Sequence, residues 1–187
     1  MTDETGEKLL DKLVDYIEDA HALEESVVDS LGSMSDSLEG AALRATFERY
    51  RETSQAHVER LERRLESLGR DSSVRKRIEG MAVTLLKSVS DAVRTDAPGK
   101  VGRDGYLLAH AQIAAYELLQ RLASYAGDTE TADIARVGRE EARAFGDEIA
   151  EHWDDFLRLT VADWAEDGRT APRGGSAPER SSVPPTV

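Results

Sequence analysis

The 187-residue chain contains no cysteine. A disulfide framework and a thiolate metal site are therefore both excluded. Proline is nearly confined to the end of the chain, at Pro172, Pro178, Pro184 and Pro185, with Pro98 the one exception. Helices before that end need not be broken by proline. Apolar runs are short, and none approaches the roughly 18 residues that suggest a membrane-spanning helix. The first eight residues are polar and acidic, which predicts no signal peptide and a cytoplasmic location. Positive charge is scarce: 24 Lys and Arg stand against 37 Asp and Glu, a net charge of −13. Nucleic acid and anionic membranes both select a basic face, so neither is expected as a partner.

What remains is the composition of a globular helical protein, 40% hydrophobic and 33% charged, with enough residues for one core. The apolar side chains recur at spacings of three and four, the period of a helix face. Leu10, Leu13, Ile17, Ala20, Val27, Leu31 and Met34 mark a first helix over residues 6–33. Leu43, Phe47, Tyr50, Val58, Leu61, Leu65 and Leu68 mark a second, stopped by Gly69. A third segment, capped by Ser72 or Ser73, carries Ile78, Met81, Ala82, Leu85, Val89 and Val93. Residues 95–104, with Pro98, Gly99 and Gly102, read as a loop. Leu108, Ala111, Ala115, Leu118, Leu119 and Leu122 form the next helix, which ends at Gly127. A last helix, capped by Asp128 or Thr129, carries Ile134, Val137, Phe145, Ile149, Phe156 and Leu159. From about residue 167 the chain is rich in Gly, Pro and Ser and has no apolar period, which predicts a disordered tail over 167–187 behind a domain of residues 1–166.

Two helical hairpins joined by one long crossover make an all-α, antiparallel four-helix bundle with ferritin-like connectivity. Each bundle helix then places one polar side chain on its apolar stripe: Glu24, His57, Gln112 and Glu141. Glu24 lies 16 residues before Gly40 and His57 lies 17 after it. Gln112 lies 16 before Asp128 and Glu141 lies 13 after it. At about 1.5 Å of rise per residue, the four fall within one or two turns of a common layer. A buried carboxylate needs a metal or a closed hydrogen-bond network.

A ferritin-like di-metal site takes a Glu from each of two helices and a Glu-x-x-His pair from each of the others. Carboxylate with imidazole suits iron or manganese. Here Glu24 fills one lone-Glu place and the neutral Gln112 the other. The second helix reads Ser54-x-x-His57 and the last reads Glu141-x-x-Ala144. The ligand set is thinned, and a metal site at Glu24, His57, Gln112 and Glu141 stands beside a purely polar network as its alternative. Glu148 and His152 share the inward stripe, but His152 is about 16 Å along the axis from Glu141. His21 is expected as a half-exposed packing residue, His110 as solvated, and Tyr16, Tyr50 and Tyr116 as core residues with a polar end. The charged run over 59–66 is expected as a solvated helix face.

Several segments carry a family likeness. Asp19-Ala20-His21-Ala22-Leu23-Glu24-Glu25 resembles the Asp-Ala-x-x-x-Glu stretch of the first helix of YciE/YciF proteins. The segment from Glu52-Thr53 through His57-Val58-Glu59-Arg60-Leu61-Glu62 resembles their Glu-rich second helix. Gln112-Ile113-Ala114-Ala115-Tyr116 resembles their Glu-Ile-Ala-Ala-Tyr, and Gly127-Asp128-Thr129-Glu130-Thr131-Ala132 their last interhelical turn. The resemblance spans roughly residues 8–160. It implies a ferritin-like fold, a stress-associated role, metal binding at the four named positions and a homodimer. Gln112 stands where that family usually has Glu. A working iron or manganese oxidase or peroxide-consuming enzyme and a metal-free dimeric interaction module are the competing readings.

Overall fold

A computed structural model describes residues 3–70 and 98–166, and the described part is helical apart from short turns. The helices are α1 (Asp3–Ser37), α2 (Ala41–Ser67), α3 (Pro98–Ala126), α4 (Thr129–Glu151) and α5 (Trp153–Glu166). The expected third segment and the tail lie outside the described residues. No described helix is long and apolar enough to cross a membrane.

The register follows from contacts at the two ends of the bundle. Near the end of α2, Arg64 reaches Asp128 Oδ2 at 2.5 Å and Thr131 Oγ1 at 2.8 Å, both at the start of α4. At the start of α2, Phe47 meets Phe145 edge-on at 5.5 Å and Phe156 at 6.3 Å. Helices α2 and α4 are therefore antiparallel, as are α1 with α2, α3 with α4 and α1 with α3. Arg70 holds Asp11 at one end, while Gly99 N–H donates to Thr160 Oγ1 at the other. The chain thus leaves α2 and enters α3 at opposite ends. This is the single long connection of a ferritin-like bundle.

The apolar stripes close two stacked core clusters. One contains Leu31, Met34, Phe47, Leu108, Phe145 and Phe156. The other contains Leu13, Ile17, Leu61, Leu119 and Ala135. Each fully buried Leu, Ile or Phe contributes about 1.5–3 kcal/mol relative to exposure. Local chemistry fixes the turns. Arg44 donates to Leu38 O from Nε and Nη2, closing the α1–α2 turn. Asp128 accepts from Thr131 N–H at 3.0 Å and caps α4.

Four expectations are corrected. Helix α1 starts earlier and ends later than 6–33. Its Leu10 is 46% exposed rather than part of the core face. The stretch 98–104 is the first two turns of α3, not a loop. Pro98 occupies the first helical position, where its missing N–H costs nothing, and Gly102 lets Phe156 pack on bare backbone, where a Cβ would lie 2.7 Å from the ring. The last helix is two helices. It breaks at His152, whose Nδ1 pairs with Asp155 Oδ2 at 2.7 Å, and α5 turns Phe156 back onto Phe47.

Candidate functional site

Glu24, His57, Gln112 and Glu141 converge between the two core clusters. Glu24, His57 and Gln112 are each at most 1% exposed, while the Glu141 side chain is 40% exposed. Glu24 sits four residues after Ala20 and three before Val27, so α1 must turn its carboxylate inward with them. There Glu24 Oε1 accepts from Tyr116 OH at 2.7 Å, Gln112 Nε2 at 2.9 Å and His57 Nδ1 at 3.1 Å. Its Oε2 accepts from Gln112 Nε2 at 2.9 Å. His57 Nε2 donates to Glu141 Oε2 at 2.6 Å. Tyr50 OH donates to Gln112 Oε1 at 3.1 Å. That bond turns the amide so that its NH2 faces the carboxylate. The buried Ser54 Oγ lies 3.5 Å from Gln112 Nε2.

The charges in this layer are matched. Both ring nitrogens of His57 face carboxylate oxygens, and only an imidazolium can donate from both. Burial alone would lower the His57 pKa, but the hydrogen bonds and charges of Glu24 and then Glu141 outweigh it and raise it. Burial, and then the Glu24 charge, push the Tyr50 and Tyr116 phenols well up. Both remain donors. Arg60 Nη1 stands 3.7 Å from Glu141 Oε2. Two carboxylates thus face one imidazolium and one guanidinium.

This donor set does not fit a di-metal pair. The carboxylates of Glu24 and Glu141 lie at different edges of the His57 ring, which stands between them. Gln112 offers Glu24 an N–H donor where a metal would need a lone pair. Ser54 supplies no carboxylate, and Ala144 is exposed and supplies no imidazole. Among the described residues, no group of three or more His, Cys, Asp or Glu could hold a metal ion.

The other candidate residues go elsewhere. Glu148 accepts from Thr46 Oγ1 at 2.8 Å and from Arg49, which outweigh its partial burial and lower its pKa. His152 is held by Asp155. His110 is exposed and its ring lies tilted against that of Tyr106, with centroids 4.2 Å apart. His21 is 5% exposed and not half-exposed: its Nδ1 is 3.7 Å from Glu25 and its Nε2 is 3.4 Å from Glu62 across the α1–α2 interface. The stripe argument did not single out Ser54, Arg60, Tyr50 and Tyr116 as members of the layer. Their signal was helical spacing: Ser54 and Arg60 flank His57 by three, and Tyr116 follows Gln112 by four.

Residues 8–162 match the model of a domain of unknown function (DUF892). No curated protein sequence matches the chain. Among solved structures, a protein of Xanthomonas campestris pv. campestris is 22% identical, with a TM-score of 0.68 over 86% of this chain and 99% of the other. The Escherichia coli stress protein YciF is 17% identical, with a TM-score of 0.66 over 80% and 97%. A dodecameric thioferritin, the bacterioferritin-related protein of Bacteroides fragilis, is 16% identical, with a TM-score of 0.64 over 85% and 97%. These likenesses establish the ferritin-like fold.

Proposed function

The chain belongs to the DUF892 family, and from that premise we propose that it is a ferritin-like structural or partner-binding protein. In this reading a protonated polar network takes the place of a di-metal centre. The observation that carries it is the Gln112 amide, which donates to both oxygens of Glu24 at 2.9 Å. A ligand carboxylate at that position would add a second negative charge and call for a metal. The neutral amide instead completes the hydrogen bonding of Glu24 without one. His57, held between Glu24 and Glu141, supplies the remaining positive charge.

The same reading gives the protein a stress-associated role, on the fold likeness to the Escherichia coli stress protein, and a cytoplasmic setting. It also assembles with its own copies, on the likeness to the dodecameric Bacteroides fragilis protein. The layer holds the bundle in register, and the surface does the binding.

The test is metal content by mass spectrometry, on untagged protein loaded with Fe(II), Mn(II) or Zn(II) and then dialysed. Less than one ion per chain, unchanged in Glu24→Gln, is the expected result. Two irons or manganeses per chain, lost in Glu24→Gln, would overturn the proposal and make oxidase chemistry the next assay.

A further inference from the structure

We draw no further inference here: the strongest candidate, the polar cleft of about 420 Å³ between α3 and α4 lined by Glu117, Gln120, Arg121, Ser124 and Arg139, carries nothing, because Glu117 already engages both arginines and the lining atoms left unpaired, Gln120 Oε1 and Arg139 Nε, are shut off from solvent, so that nothing in the structure points to a ligand.

Discussion

At the scale of single residues, Gln112 decides which of two chemistries the bundle centre supports. Its amide offers donors to Glu24 and an acceptor to Tyr50, so both ends of the amide and both oxygens of Glu24 are used. Gln112→Glu would place a second carboxylate against Glu24 with no added cation. Without metal, that variant is expected to lose about 3 kcal/mol or more, the usual consequence of an uncompensated buried charge. Urea unfolding at neutral pH reads the loss, and an unchanged midpoint would mean that the layer tolerates two carboxylates. His57 sets the pH response. Its folded pKa is raised above the unfolded value of about 6.5. Its contribution is therefore complete below that value and is lost as pH rises through the folded pKa. The gap in melting temperature between wild type and His57→Gln should narrow as the solution becomes alkaline. A gap independent of pH would show that His57 is neutral in the native state.

At the scale of elements, the layer depends on how closely α3 and α4 approach. Gly138 on α4 faces the ring of Tyr116, and an added Cβ would fall 2.5 Å from its Cζ. Gly138→Ala must push Tyr116 away from Glu24, since a buried aromatic ring has nowhere else to go. A loss of about 1–3 kcal/mol is expected, the range for overpacking a filled core. The check is thermal unfolding of Gly138→Ala beside Gly138→Ala/Tyr116→Phe. A double variant no less stable than Tyr116→Phe alone would place the strain elsewhere. Helix α5 shows a related dependence, because the break at His152 is what brings Phe156 onto Phe47 and Gly102.

At the scale of the whole molecule, the dominant feature is the net charge of −13. Self-repulsion at low ionic strength opposes the compact state. Raising salt from about 10 mM to about 150 mM shortens the screening length from about 30 Å to about 8 Å. The melting temperature is expected to rise by a few degrees over that range. The buried pairs of the polar layer are screened little and should not contribute. A fall would mean that exposed ion pairs such as Arg121 with Glu117 and Arg136 with Glu140 outweigh the repulsion.

The amino-acid sequence alone determined the four helices of the bundle, their antiparallel pairing and the four polar side chains that meet at the centre. Those follow from a period of 3.6 residues and from depth counted along a helix, both of which are local. It misread residues 98–104, because Pro98 and Gly102 signal a loop locally and are overruled by packing against α5. It gave no sign of the break at His152, where no glycine or proline stands. It could bring His57 and Glu24 into one layer but could not orient them. Which way the Gln112 amide turns, that both His57 nitrogens meet carboxylates, and that Tyr116 joins them depend on side chains from four helices at once. Hydrogen-bond direction is a tertiary property, and it distinguishes a closed network from a metal pair.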